Sequence, residues 1–343
     1  MHLLITGGSG FLGSHIVQSS LKEGHTVRAL VRPTSDTSFL QQLSGVEICT
    51  GDLTKPRSLH AATQGIDVVI HAAARVLDYG PPEQFFQTNV LGTQQLLEQA
   101  KKNGARSFVF VSSPSVTMVG RDQLHVDEQL PYPARYLNLY SRTKAQAEQW
   151  VLEQNSEAFT TCALRPRGIW GPRDWRGFIP KILARIRAQR LPNMSGGRPL
   201  SASLCHCRNA AHACVLAAAS SRVGGKAYFI TDEEVVNVWD FANEMAQRFS
   251  LPPVEKTLSP RLAWILGSAF DAWWSIPFLA PQRSPPLSRY AVALLTHSYT
   301  YNTEAARRDF DYAPVVSQAA GLAELETWVE EIGGLDAFLK HIS

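Results

Sequence analysis

Charge is scarce in this chain. Asp, Glu, Lys and Arg make up 18% of its 343 residues and the formal net charge is +3. Such a balance holds no basic stripe to neutralise a run of phosphates, which excludes nucleic acid as an expected partner. Cysteine is scarce too. Cys49, Cys162, Cys205, Cys207 and Cys214 are odd in number and scattered, a pattern of reduced thiols rather than of a disulfide framework. Cys205-His206-Cys207, with His212 and Cys214, is too tightly spaced for a zinc knuckle and lacks a second pair, so no metal is expected. No Gly-x-Ser-x-Gly elbow follows a strand, which removes Ser-His-Asp hydrolysis. The apolar run after Met1-His2 is too short for a signal peptide, and the cytoplasm is the expected address. There is no internal repeat and no low-complexity tract.

Hydrophobic residues are plentiful, at 45%, enough for one large core or two unequal lobes around a cleft. In the first half short apolar runs alternate with amphipathic stretches, the pattern of a parallel sheet covered by helices on both faces. Strands are expected at residues 3–6, 26–31, 46–50, 67–71 and 107–112, and helices at 10–23, 56–64 and 83–103. A helix at 140–154 and a strand at 160–164 follow, with pairing expected to stop where Arg165 leads into Pro166. Closely spaced prolines and glycines from Pro172 to Pro199 then predict a loop-rich lobe over a cleft. A helix at 209–220 and a strand at 227–231 return to the sheet, and from Val236 the pattern is mostly helical, ending in a helix at 318–341.

The expected architecture is therefore α/β: a doubly wound parallel sheet with a smaller, mostly helical C-terminal substrate lobe. Residues 1–170, with 204–232, form the sheet domain; residues 171–203 and 233–343 form the lobe. Within the lobe, residues 262–280 gather Trp264, Ile265, Leu266, Phe270, Trp273, Trp274, Ile276, Phe278 and Leu279, interrupted by Asp271 and Pro277. A membrane span needs about 20 apolar residues with few or no charges, which this segment does not supply. Core packing, a lid over an apolar substrate, and an interfacial helix in peripheral membrane contact are the three readings it allows.

The loop Thr6-Gly7-Gly8-Ser9-Gly10-Phe11-Leu12-Gly13 follows the first strand and opens the first helix, with glycines spaced Gly-x-x-Gly-x-x-Gly. Gly7 permits the sharp turn, Gly10 admits a pyrophosphate to the backbone, and Gly13 lets the helix sit close to the strand. Free amides and the helix dipole, at Phe11 and Leu12, then favour a diphosphate. This is a dinucleotide-binding Rossmann loop. At the end of the second strand stands Arg32, where NAD enzymes place an acid for the ribose hydroxyls; the nearest acid is Asp36. Arg32 suits a 2′-phosphate, so NADP is favoured over NAD. Gly51-Asp52-Leu53 is placed to bracket the adenine, Asp52 accepting from its amino group. His71-Ala72-Ala73-Ala74 and Asn89 fall at the ends of their own elements, along the expected cofactor track.

Tyr140-Ser141-Arg142-Thr143-Lys144 sets Tyr140 and Lys144 four apart, on one helix face. A phenol with an ordinary pKa near 10 is a poor acid-base group at neutral pH. A lysine ammonium one turn away, with an oxidised nicotinamide, is expected to stabilise the phenolate. Ser112-Ser113-Pro114-Ser115 ends the fifth strand, where a hydroxyl can hold a substrate oxygen beside Tyr140. Ser113 is the first choice, with Ser112 and Ser115 as competitors.

These motifs, together with TNVLGT around Asn89 and ALRPRGIWGPRD from Ala163 to Asp174, resemble the extended short-chain dehydrogenase/reductase superfamily over almost the whole chain. VSSPSVTMVG, the segment after Arg165 and Thr300-Tyr301-Asn302 resemble its 3β-hydroxysteroid dehydrogenase branch, near the decarboxylating sterol-4-carboxylate 3-dehydrogenases and bacterial enzymes of long β-keto or β-hydroxy acids. The resemblance implies an NAD(P)-dependent oxidoreductase, with Ser113, Tyr140 and Lys144 in the catalytic roles, Pro166 approaching the nicotinamide, and a homodimer paired through two helices per subunit, including that of Tyr140. Relatives carry a Val-Asp-Asn step where this chain has Cys207-Arg208-Asn209. Oxidising a hydroxyl β to a carboxylate yields a β-keto acid that can lose carbon dioxide unaided, provided a cation holds the carboxylate; Arg142, Arg167 and Arg173 are the candidates. The competing readings are a sugar-nucleotide epimerase or dehydratase, disfavoured by the Trp-rich segment, and a non-catalytic dinucleotide sensor, disfavoured by the Tyr140-Lys144 pair.

Overall fold

The structure, a computed structural model, describes residues 1–276 and 285–342. Its strands are β1 (His2–Thr6), β2 (Thr26–Val31), β3 (Val46–Thr50), β4 (Val68–His71), β5 (Ser107–Val111), β6 (Gln123–Val126), β7 (Thr160–Pro166), β8 (Ile169–Trp170), β9 (Ser201–Ser203), β10 (Cys205–His206), β11 (Lys226–Ile230), β12 (Val235–Asn237) and β13 (Tyr299–Tyr301). Seven of them form one parallel sheet in the order β11-β7-β5-β4-β1-β2-β3. The order reverses at β1, and strand C-termini on either side of such a switch point open a crevice for ligand. β4 and β5 are buried at every position, as continuous apolar runs in a sheet covered on both faces must be.

The helices are α1 (Phe11–Lys22), α2 (Ser38–Gln41), α3 (Leu59–Thr63), α4 (Pro82–Phe85), α5 (Gly92–Lys102), α6 (Leu139–Glu153), α7 (Phe178–Arg187), α8 (Cys207–Ala219), α9 (Val238–Arg248), α10 (Pro260–Trp274), α11 (Arg289–Thr296), α12 (Glu304–Phe310), α13 (Gln318–Glu331) and α14 (Gly334–Leu339). α1 and α8 cover one face of the sheet around Ile5, Ile16, Val17, Val109, Leu164 and Ala213. α3, α5 and α6 cover the other around Leu4, Leu59, Leu96, Phe108 and Val151. A second body of core joins Trp170, Leu183, Phe241 and Leu325, and a small sheet ordered β12-β9-β13-β6 lies beside it.

Several expected elements change in form. Pairing continues through Pro166, which aligns with Ile230. The Arg167 amide donates to the Ile230 carbonyl, so by alternation the proline nitrogen faces β5, whose pairing has already ended at Val111 with Leu164. The helix expected at 83–103 is broken by a wide π-type turn, Phe86–Leu91, which lets the buried Asn89 carboxamide reach the Arg75 backbone, accepting from its N–H at 2.7 Å. The helix expected at 318–341 divides where Gly333 and Gly334 take φ of 100° and 84°. Residues 56–64 begin as a tight 3₁₀ turn, Pro56–Ser58. The segment read as loops holds α7, whose Ile179, Leu183 and Ile186 form a buried face, with Pro180 tolerated in the first turn. Residues 277–280 of the apolar segment lie outside the described residues. No described helix is long and apolar enough to cross a membrane.

Candidate active site

β1 delivers the chain into Gly7, whose φ of 71° an L side chain rarely adopts. The Gly10 amide closes the turn on the Gly7 carbonyl at 2.8 Å. A Cβ at residue 13 would lie 2.0 Å from that carbonyl oxygen, so α1 can start this close to β1 only with glycine there. Gly10 precedes α1 without any side-chain cap, leaving the first-turn amides, including those of Phe11 and Leu12, to a ligand. The cradle thus fits a dinucleotide diphosphate.

Beyond β2, Arg32 is exposed, in a turn where its amide donates to Ser35 Oγ at 3.2 Å. Asp36 is engaged just before α2, its Oδ1 accepting from the Ser38 amide at 2.9 Å and from Ser38 Oγ at 2.6 Å. The end of β2 therefore presents a cation and no opposing acid from Asp36. Asp52 accepts from the Thr54 amide and hydroxyl, each at 2.8 Å. Burial works to raise its carboxyl, but these bonds and the nearby Lys55 and Arg32 hold it below the ordinary value. Leu53 is buried against Gly92 at the start of α5.

His71 is fully buried and both of its ring nitrogens are engaged. Thr93 Oγ1 donates to the Asn89 carbonyl and thus accepts from His71 Nε2, at 2.9 Å; Nδ1 accepts from Thr6 Oγ1 at 2.6 Å, whose oxygen in turn accepts from the Ala73 amide. Burial lowers the imidazole to about 3, which keeps it neutral. Neither ring nitrogen is left to hydrogen-bond a ligand. It fixes the Ala72-Ala73 turn, where Ala73 packs against Gly7.

α6 begins at Asn138, whose Oδ1 accepts from the Ser141 amide at 2.8 Å, and presents Tyr140 and Lys144 toward the end of β5. Ser113 Oγ accepts from the Ser115 amide at 3.2 Å, and its hydroxyl stays within hydrogen-bonding reach of the Tyr140 phenol. Ser112 and Ser115 keep buried hydroxyls without partners. Burial pushes Tyr140 up to about 12, with Ser113 pulling the other way. Lys144 Nζ donates to the Val111 carbonyl at 2.6 Å and lies over the Phe110 ring at 3.7 Å. Burial lowers it to about 7, against the attraction of Glu148 one turn on. Without a nicotinamide both groups are desolvated, which favours a neutral phenol and a partly neutral amine.

Two features were not read from the sequence. Glu148 is fully buried, accepting from Arg165 NH2 at 2.6 Å and from the Tyr132 hydroxyl at 2.6 Å, and so ties α6 to β7. Its spacing from Lys144 was visible, but its partner Arg165 lies on strand β7. Tyr290, on α11, feels Tyr140, Asp78, Arg167 and Tyr301 together, which no spacing in the sequence announces. α10 lies over this end of the sheet: Trp264 closes on Gly120, and Tyr79 donates to the Asp271 carbonyl. The Arg208 departure is absorbed by Glu324, an ion pair at 3.3 Å.

The sequence profile of the 3-beta hydroxysteroid dehydrogenase/isomerase family matches residues 4–261. The chain belongs to that family. It is 33% identical over 338 residues to the 2-alkyl-3-oxoalkanoate reductase of Shewanella oneidensis, covering 95% of this chain and 85% of that one. It is 33% identical over 334 residues to the 3-beta-hydroxysteroid dehydrogenase of Mycolicibacterium neoaurum, covering 94% and 89%. A short-chain dehydrogenase/reductase superfamily protein from Agrobacterium tumefaciens, solved with bound NAD, shares the fold at a TM-score of 0.73 and 22% identity, covering 96% of this chain and 98% of that one. This member of the 3-beta hydroxysteroid dehydrogenase/isomerase family is an NAD(P)-dependent oxidoreductase of hydroxyl and keto groups.

Proposed function

We propose that this enzyme interconverts a secondary alcohol and a ketone on a large apolar substrate, with Tyr140 as the proton-transferring group, Ser113 holding the substrate oxygen and Lys144 completing the site. The observation that carries the reading is the convergence of Ser113 at the end of β5 with Tyr140 and Lys144 on α6, at the same edge as the glycine cradle. A bound nicotinamide supplies or accepts the hydride at the carbinol carbon. In reduction, Tyr140 gives its proton to the carbonyl oxygen while the Ser113 hydroxyl donates to that oxygen. A phenol held near 12 remains protonated at neutral pH, so its proton is available to a carbonyl oxygen.

Arg32, with Asp36 turned toward Ser38, supports NADP over NAD. Gly7, Gly10 and Gly13 would hold the diphosphate, Asp52 and Leu53 would flank the adenine, and Ala72, Ala73 and Pro166 would line the path to the nicotinamide. The apolar face of α10 supports a large substrate: Leu262, Ile265, Leu266 and Trp273 lie on one side and are exposed, Ile265 at 62%. A long-chain β-keto or β-hydroxy acid is the favoured form, since one relative is named a 2-alkyl-3-oxoalkanoate reductase. A 3β-hydroxysteroid or sterol-4-carboxylate meets the same chemistry. The α10 stripe also supports contact with a lipid surface. The division into a sheet domain and a substrate lobe follows the same reading. The test is nicotinamide absorbance at 340 nm with NAD and NADP, against hydroxysteroids, sterol acids, long β-hydroxy acids and nucleotide sugars. Turnover of the apolar alcohols supports it; turnover of nucleotide sugars alone overturns it.

A further inference from the structure

Three arginines could receive a substrate carboxylate, and the fold separates them. Arg142 is exposed on the outer face of α6. Arg173 is committed to α1, where Nε donates to Ser14 Oγ at 3.0 Å, NH2 bonds His15 Nδ1 at 2.7 Å and Gln18 Oε1 at 3.2 Å, and the guanidinium stacks on Phe39. Arg167 differs from both. It follows Pro166 at the C-terminal end of β7, is only 9% exposed, and stands 6.0 Å from the Tyr299 ring. Among the described residues no carboxylate, carbonyl or hydroxyl accepts a well-formed hydrogen bond from its guanidinium. The Tyr301 hydroxyl lies beside it but makes no bond of good geometry, and the buried Tyr299 hydroxyl also lacks a partner. The neighbouring Arg165, by contrast, is ion-paired with Glu148 through Nε and NH2, with only NH1 lacking a partner.

A guanidinium this buried without a counter-ion is costly, because no ion pair among the described residues offsets the desolvation of its charge. Structural arginines avoid that state by pairing, as Arg165 does. An arginine kept in it beside the reacting group is arranged for an anion that arrives with the substrate. The sheet places it there: β7 pairs with β5, the strand that ends just before Ser113, and Arg167 follows Pro166 at the same end of β7. The ring of Tyr299 and the free tyrosine hydroxyls frame a small polar spot in an otherwise apolar wall of Met118, Phe229 and Leu294.

We infer that Arg167 is the carboxylate-binding residue of the substrate pocket, so that the substrate class is an acid carrying its carboxylate near the reacting carbon. The inference rests on the oxidoreductase reading above and narrows it: neutral hydroxysteroids have no group for Arg167, whereas β-keto and β-hydroxy acids do. Arg167 acts on recognition and touches no transferred proton. The fork of its guanidinium matches a carboxylate in two parallel bonds, which a lysine cannot reproduce.

The test compares wild type, Arg167→Met and Arg167→Lys on a 2-alkyl-3-hydroxyalkanoate and on the same secondary alcohol lacking the carboxylate. The ratio of kcat/KM for the acid to that for the neutral alcohol is expected to fall on the order of 100-fold in Arg167→Met, mainly through KM, with partial recovery in Arg167→Lys. Removing an unpaired buried charge is also expected to leave Tm equal or raised; a lowered Tm with an unchanged ratio identifies a structural arginine and overturns the inference. Binding of dodecanoate by calorimetry is read in parallel. Binding by wild type that weakens at least tenfold in Arg167→Met supports the site, and equal or absent binding overturns it. Arg167-dependent dodecanoate binding without turnover of any alcohol overturns the oxidoreductase reading of this pocket and leaves the anion site standing.

Discussion

Lys144 offers a quantitative test of how the site is built. Its side chain is 2% exposed, donates to the Val111 carbonyl and lies over Phe110, and burial lowers its ammonium from 10.5 to about 7. Between those values the unfolded chain holds a proton that the folded chain releases, so stability rises with pH across that window. Above pH 10.5 the amine is neutral in both states and the penalty vanishes; below pH 7 both states are charged and the penalty is complete. At about 1.4 kcal/mol per pH unit the interval corresponds to roughly 5 kcal/mol, and water reaching the charged form trims this to about 2–4 kcal/mol. Lys144→Met removes the titration while keeping most of the apolar stem. Urea denaturation of both proteins at pH 6, 7, 8, 9 and 10 isolates the lysine, because other titrating groups cancel in the difference. The variant is expected to be more stable by about 2–4 kcal/mol at pH 6, the gap closing to under about 1 kcal/mol at pH 10. A gap that does not change with pH would refute the reasoning, since it would mean that the ammonium keeps its ordinary proton affinity inside the fold.

Tyr140→Phe is expected to lower kcat by a factor of about 10² to 10⁴ with cofactor affinity nearly intact; rapid residual turnover would remove Tyr140 from proton transfer. Arg32→Asp is expected to shift the kcat/KM preference from NADP toward NAD, and an unchanged ratio would place Arg32 outside the ribose site. Glu148→Gln leaves Arg165 buried without its counter-charge, so a loss of about 3–5 kcal/mol in urea unfolding is expected. A loss below about 1 kcal/mol would show that Tyr132 and water satisfy Arg165 unaided.

The first half of the fold was readable because its signals are local. Apolar runs at β1, β2, β3, β4 and β5, and the glycine loop between β1 and α1, depend on neighbours a few residues apart, and the parallel order follows from right-handed crossovers. Boundaries failed where a tertiary partner decided them. Asn89 opens the helix at 83–103 because it captures the backbone of Arg75, and Pro166 stays in the sheet because its missing N–H faces an ended strand. The short strands β9, β12 and β13 carry no period long enough to read.

The site divides along the same line. Residue type and spacing alone singled out Gly7, Gly10, Gly13, Tyr140 and Lys144 as candidates, since a tight turn and a helical repeat are properties of adjacent residues. Only the tertiary structure decided what those groups experience. Desolvation moves Tyr140 up and Lys144 down, His71 spends both nitrogens on Thr6 and Thr93, and of three equivalent-looking arginines Arg167 is buried and makes no ion pair among the described residues. Burial and charge pairing are sums over residues distant in the chain, and no stretch of sequence carries them before the fold brings those residues together.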